Sequence, residues 1–204
     1  LKACLLNPLR LGEDVDTYLH PVVRCLNDYG LSIAGASVVL RTKHPQLEML
    51  VQRWHPAATD EVSVDDVRTI VQHYANEQTD GTTEVYLLKH GHSNQALYLK
   101  SPFAAVEATG EAKLWVLRDH CNPPLFPIFS DLLEREHTEY CVVPIPMPKP
   151  YSLLLSLSTS AQDGFPDDFL ETIVRVAPYI RLSVAHKVER IMMIELLSAY
   201  LGRH

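Results

Sequence analysis

The chain has 204 residues, 47% hydrophobic and 21% charged, with 25 acidic against 18 basic residues and a net charge of −7. That is ordinary globular composition, long enough for one domain with a closed core. The acidic balance excludes a phosphate-backbone binder, which needs a concentrated basic face. Fourteen prolines against eight glycines disfavour a linker protein and a glycine-fingerprint nucleotide fold. No run approaches the roughly eighteen apolar residues of a membrane span, and no signal peptide is recognisable. Cys4, Cys25, Cys121 and Cys141 are irregularly spaced, with no C-x-x-C pair. They read as buried free thiols in a reducing compartment, so the expected location is cytoplasmic.

In chain order, Val15, Tyr18, Leu19, Val22, Leu26 and Tyr29 give one apolar helical face over Gly12–Tyr29, with Pro21 predicting a kink or late start and Gly30 a stop. Ala34–Thr42 and Gln46–Trp54 read as a hairpin. Ser63, capped with Asp66, opens a predicted helix with a stripe of Val64, Val67, Val71 and Tyr74. From Thr59 to Glu84 there are seven acids and one base, Arg68, which reads as a solvated face. Thr82–Lys89 is a predicted strand. Ser101-Pro102 starts a short helix that Gly110 ends. Ala112–Arg118 reads as a strand and Phe126–Glu136 as a helix. Glu139–Ile145 and Tyr151–Ser158 read as a strand pair joined by a stiff proline-rich crossover. The last helix runs from Pro166 to about Leu201, with a possible bend at Pro178. At about 35 residues it spans roughly 50 Å, against a radius of gyration of about 17 Å for a domain this size. Its end is expected to project and meet a partner. With no Met at Leu1 and a stop at His204 directly after this pattern, the chain reads as the cut edge of something larger.

This order resembles a GAF domain, and four stretches make the resemblance more specific. Leu31–Pro56 (LSIAGASVVLRTKHPQLEMLVQRWHP), Tyr98–Glu107 (YLKSPFAAVE), Thr138–Pro144 (TEYCVVP) and Gly164–Phe169 (GFPDDF) are similar to a GAF-like sensor domain at the N-terminus of bacterial class III adenylate/guanylate cyclases. Glu195–Arg203 (ELLSAYLGR) resembles the linker into their catalytic domain. The resemblance implies an α/β (α+β) fold: a central antiparallel sheet of about six strands flanked by helices, with a long C-terminal helix. It implies a sensor domain over 1–180 and a signalling and dimerisation helix over 181–204. The parent would make cyclic AMP from ATP, with the covalently linked cyclase and a second copy as partners. The acidic stretch departs from the family pattern. The signature of cyclic-nucleotide-binding GAF domains is absent, so that activity is not implied.

The resemblance places a ligand space between the sheet and its distal loops, and Tyr86, Phe103, Trp115, Phe126 and Tyr140 are positioned to line it. Aromatic residues at strand positions also read simply as core. His90-Gly-His92 follows a strand, so alternate histidines face one side and suit a shared ligand, haem or metal, or else a polar loop exit. No third ligand is assignable, and no metal or cofactor is assigned. Arg118-Asp119-His120-Cys121 reads either as a reactive-thiol locus, as in a GAF-type sulfoxide reductase, or as a strand end entering the Pro123-Pro124 turn. No catalytic signature is present, so the chain itself reads as a non-enzyme. In the final helix, Val184, Ile191 and Ser198 at a, with Ile180, Lys187, Ile194 and Leu201 at d, give an imperfect heptad suited to a parallel homodimer that shifts between packings. No nucleic-acid or membrane partner is expected.

Overall fold

A computed structural model describes residues 1–5, 19–42, 48–56, 72–74, 81–120, 123–149, 151–182 and 193. The helices are α1 (Lys2–Leu5), α2 (Leu19–Asp28), α3 (Ala96–Leu99), α4 (Pro102–Thr109), α5 (Ile128–Glu134) and α6 (169–182). The strands are β1 (Gly35–Arg41), β2 (Met49–His55), β3 (Gln72–Tyr74), β4 (Thr82–Leu88), β5 (Lys113–Val116), β6 (Glu139–Ile145) and β7 (Ser152–Thr159). They form one antiparallel sheet in the order β3-β4-β2-β1-β7-β6-β5.

Because side chains alternate across a strand, the sheet divides the core in two. Val38 and Leu40 of β1, Leu50 and Trp54 of β2, and Leu153, Leu155 and Leu157 of β7 face one layer. There they meet Leu19, Val22, Val23 and Leu26 of α2 and Phe169, Ile173, Val176, Ala177 and Ile180 of α6. Val39, Met49, Tyr86, Tyr140 and Leu154 face the other, distal layer, with Tyr98, Val106 and Phe129 from α3, α4 and α5. Central β7 is buried from Leu153 to Thr159, covered on both faces.

Local chemistry fixes the joints. Helix α2 ends where the Leu31 N–H reaches the Leu26 carbonyl (3.2 Å) and the Gly30 N–H reaches that of Asn27 (2.8 Å). Gly30 sits at φ +91°, the left-handed position that this termination needs. At the other end of α2, the fully buried Gln52 accepts the Leu19 N–H at 3.1 Å, tying helix to sheet. Helix α4 has Ser101 as N-cap, accepting from the Ala104 N–H at 3.3 Å, with Pro102 in its first turn and Gly110 at φ +69° behind it.

Two of the GAF-like stretches meet at another joint. The Thr138 hydroxyl donates to the Ala161 carbonyl at 2.7 Å, and Glu139 Oε2 accepts the Phe165 N–H at 2.8 Å. A Cβ on Gly164 (φ +75°) would come within 2.5 Å of the Glu139 carboxyl carbon. Phe165 then stacks on Phe169 at 3.7 Å and starts α6 against the core. The other two stretches meet in a knot of their own. Glu107 Oε2 accepts from Arg41 Nη2 (3.0 Å) and Tyr98 Oη (2.9 Å), and Glu107 Oε1 accepts from Ser152 Oγ (3.3 Å).

Three expectations are corrected. The antiparallel sheet of about six strands is as expected, with a short three-residue edge strand beside the other six. The extra one, β3, includes Tyr74, which was expected on a helix; Gln72–Tyr74 pairs with β4 instead. The valine-rich run before it fits either period, and the open edge of β4 supplies the ladder; residues 57–71 lie outside the described set. Arg118 leaves the fifth strand, because β5 stops at Val116 and a 3-10 turn follows over Leu117–His120. Leu117 is fully buried there and its N–H donates to the Thr138 carbonyl at 2.9 Å. Finally, Cys4 and Cys25 are joined in a disulfide with Cα atoms 5.9 Å apart, not free. Packing of α1 against α2 creates that proximity, which spacing along the chain does not encode. Cys141 is free and buried.

Candidate functional site

The candidate site grows from one face of the sheet. Register places Glu84 (β4) beside Arg53 (β2), Arg53 beside Ser37 (β1), and Ser37 beside Ser156 (β7). Four polar side chains thus form a row across four strands. On one side of the row lie Tyr86, Val51, Val39 and Leu154; on the other lie His55, Gly35, Ser158 and Tyr140. Arg53 is exposed to water, Ser37 and Glu84 are half-buried and Ser156 is buried, so the inner members of the row have to be satisfied locally or by something that binds.

Part of it is satisfied. Tyr86 Oη donates to Glu84 Oε2 at 2.5 Å, and His55 Nε2 lies 3.8 Å from Glu84 Oε1. The His55 imidazole holds the Glu84 carboxyl down at about 2, with the Tyr86 hydroxyl assisting. The same pairing raises His55 above its ordinary range. Burial, and then the neighbouring Glu84, push the Tyr86 phenol up to about 12. The Arg53 guanidinium lies 5.5 Å from the centre of the Tyr86 ring. Ser37 Oγ and Ser156 Oγ are 2.6 Å apart.

Tyr140 is different. It is 3% exposed, and its Oη makes no hydrogen bond of ordinary geometry among the described residues. Burial strongly raises this phenol, so it keeps its proton. The Ser156 hydroxyl, through a hydrogen bond of loose geometry, and the Arg53 charge partly offset that rise.

Tyr140 also links the row to an aromatic cluster. Its ring lies 6.2 Å from Trp115 and 6.0 Å from Phe129, while Phe126 stands edge-on to Trp115 at 5.6 Å and to Phe129 at 5.2 Å. His120 lies 6.1 Å from Phe129. The structure therefore brings together Trp115, Tyr140 and His120 around Phe129, with Tyr86 and Phe103 in the same layer.

His90 is exposed on the turn after β4, and the backbone of His92 begins a 3-10 turn. Among the described residues no group of three His, Cys, Asp or Glu could hold a metal ion. Cys121 lies outside the described residues. Cys141 is raised to about 12 by burial, so its thiolate, the reactive form, is suppressed. The close pair Cys4–Cys25 belongs to the other layer. No described cysteine pair therefore stands beside the aromatic cluster, as a sulfoxide reductase would need.

In the C-terminal helix, Ile180 is 1% exposed and packed into the domain's own core, because its face of α6 is the one that meets the sheet. Val174 (51%) and Leu182 (58%) face outward instead. Val184, Lys187, Ile191, Ile194, Ser198 and Leu201 lie outside the described residues.

Sequence reasoning missed Ser37, Arg53, His55, Glu84 and Ser156. One signal was present: Met49, Val51, Arg53 and His55 share a face of β2, so the alternation carries an arginine and a histidine onto the distal face of the sheet.

No protein-family model matches this sequence, and no curated protein matches it. Among solved structures, the chain is similar to the VqsR LBD domain from Pseudomonas aeruginosa, with 12% identity, 89% of this chain and 94% of that one covered, and a TM-score of 0.44. It is also similar to the GAF domain of a two-component sensor histidine kinase from Bacillus halodurans, with 13% identity, 87% of this chain and 97% of that one covered, and a TM-score of 0.50. With the antiparallel sheet between two helical layers, that second likeness shows that the chain has a GAF-like α/β fold.

Proposed function

We propose that this chain is a regulatory GAF-like sensor domain. A small ligand binds on the distal face of the sheet, and the C-terminal helix pairs with that of a second copy and passes the signal to a class III nucleotide cyclase module. The chain is then non-catalytic, and the linked module converts ATP to cyclic AMP and pyrophosphate. The sensor portion runs over 1–180 and the signalling helix over 181–204.

The observation that carries the sensor reading is the polar row beside the aromatic cluster, with the Tyr140 hydroxyl buried next to it. A phenol buried without a hydrogen bond of ordinary geometry is uncommon on a sheet face built only for stability. The cyclase linkage is supported by the sequence resemblance. Four of its stretches supply the Arg41 knot and the clasp that launches α6. Such joints keep a sheet and an exit helix in fixed relation, which a transmitter requires.

The test joins the chain, through residue 204, to a class III cyclase catalytic domain and measures cyclic AMP formation alongside sedimentation of the chain alone. Concentration-dependent dimerisation is expected. Introducing a helix-breaking proline in place of Ile191 should abolish both dimerisation and cyclase activity. A chain that stays monomeric at high concentration, joined to a cyclase indifferent to the proline, would sink the transmitter reading.

A further inference from the structure

The layer that contains α6 also carries the Cys4–Cys25 disulfide, which ties α1 to α2. Helix α1 is a single turn, closed by the Leu5 N–H on the Leu1 carbonyl at 3.0 Å, and it packs on α2. One turn does not hold itself together in water. Its apolar anchorage is small. Leu5 is 3% exposed, while Leu1 and Cys4 rest half-buried at the margin of the core cluster. Fixing the backbone of residues 1–5 costs more free energy than burying one leucine and parts of two neighbours returns. The bond therefore decides whether α1 is docked. Helix α2 does not depend on it in the same way, because Leu19 and Leu26 are fully buried and Gln52 ties the Leu19 N–H to the sheet.

The dependence runs in both directions. A bond that has to order a segment each time it closes is easier to reduce than one between two positions that the fold already holds together. Approach is also one-sided, since Cys25 is buried and Cys4 is only half-buried.

We propose that Cys4–Cys25 is a reversible thiol switch: a dithiol reductant opens it, α1 leaves its seat, and the layer shared by α2 and α6 is uncovered on that side. The thiolate of the reductant attacks Cys4 Sγ, the bond between the two cysteines breaks, and Cys25 leaves as a thiolate that takes up a proton. The second thiol of the reductant then displaces Cys4 from the mixed disulfide. Two electrons and two protons pass from the dithiol, which ends as its own disulfide, to the cysteine pair. Exchange with an oxidised dithiol runs the same steps backwards and closes the bond. The switch uses none of the residues of the distal face and stands apart from the ligand reading.

The full chain is equilibrated with mixtures of reduced and oxidised glutathione, alkylated, and its cysteine pairing read by mass spectrometry. Amide order parameters are then measured by NMR on the oxidised chain, on the chain reduced with dithiothreitol, and on Cys4→Ser, which mimics the open form. A mostly reduced glutathione pool of about 10 mM should open the bond in more than about half of the molecules. On opening, the order parameter of the Leu5 amide should fall from about 0.85 to below about 0.6, while β6 and β7 stay near 0.85. Cys4→Ser should match the reduced chain, and reoxidation should restore the rigid value.

A pair that stays oxidised in that glutathione pool is a fixed staple and overturns the switch. So does a Leu5 amide that remains rigid in the reduced chain or in Cys4→Ser. Loss of order throughout β6 and β7 on reduction overturns it as well, because the bond would then hold the whole fold rather than α1.

Discussion

Glu107 offers the sharpest test of how the distal layer is held. Its carboxylate receives Arg41 Nη2 at 3.0 Å, Tyr98 Oη at 2.9 Å and Ser152 Oγ at 3.3 Å, joining α3, α4, the end of β1 and the start of β7. The ion pair itself is modest, because the two side chains are 32% and 30% exposed and Arg41 can turn to water. The larger loss falls on Tyr98, which is 9% exposed and held in its protonated form near 12 by burial and by Glu107. Removing its acceptor leaves a mostly buried hydroxyl unsatisfied, so Glu107→Ala should cost about 2 kcal/mol in all. For a chain of this length, that lowers Tm by about 4–8 °C.

Glu107→Gln keeps an acceptor for Tyr98 and should recover about half of the loss. The assay is thermal and urea unfolding of both variants and of Tyr98→Phe, with the double variant Tyr98→Phe/Glu107→Ala completing a cycle. Coupling of about 1 kcal/mol is expected in that cycle. Strictly additive effects, or Glu107→Ala within about 0.5 kcal/mol of the parent, would refute the assignment of Glu107 as the shared acceptor.

Three further outcomes follow from other joints. The raised His55 contributes stability below its unfolded value of 6.5 and loses it as pH rises through the folded value, while the lowered Glu84 contributes above 4.5 and loses it as pH falls towards 2. The destabilisation caused by His55→Gln should therefore be largest between these limits, at about pH 5.5, and should fade by about pH 9; an equal effect at both would count against the pair. Glu136 ends α5 at φ +60°, a conformation that favours glycine, so Glu136→Gly should raise stability by about 0.5–1 kcal/mol in urea unfolding, and a loss would contradict that geometry. The Cys4–Cys25 bond closes a separation of 21 residues, so its reduction should lower stability by about 3 kcal/mol, read as a fall in Tm with dithiothreitol; an unchanged Tm in the fully reduced protein would show that the bond does not hold the fold.

The elements legible in the sequence are those with complete local signals. Helix α4 announces itself through Ser101, Pro102 and Gly110, and β6 has the predicted limits, Glu139–Ile145, because its apolar run is bounded on both sides. Strand β3 was not legible, since three residues pairing at an edge have no period of their own and depend on β4 being there. For the candidate site, the sequence identified aromatic residues that the fold gathers, Trp115 and Tyr140 among them. The charged half stayed hidden because Arg53 and Glu84 are 31 positions apart and become neighbours only through strand register. The disulfide and the clasp between Glu139 and Phe165 were invisible for the same reason.

Strand β7 acts as a party wall. Ser156 faces the polar row, while its immediate neighbours Leu155 and Leu157 press on the layer that contains α6. One backbone therefore belongs to two rooms, and a nudge on one side displaces the plaster on the other without any long relay. For the sensor proposed above, the distance from the serine hydroxyl to the layer that holds the exit helix is the thickness of a single chain. Under that proposal, stiffening the wall, more than deepening either room, would be the direct way to make the domain deaf.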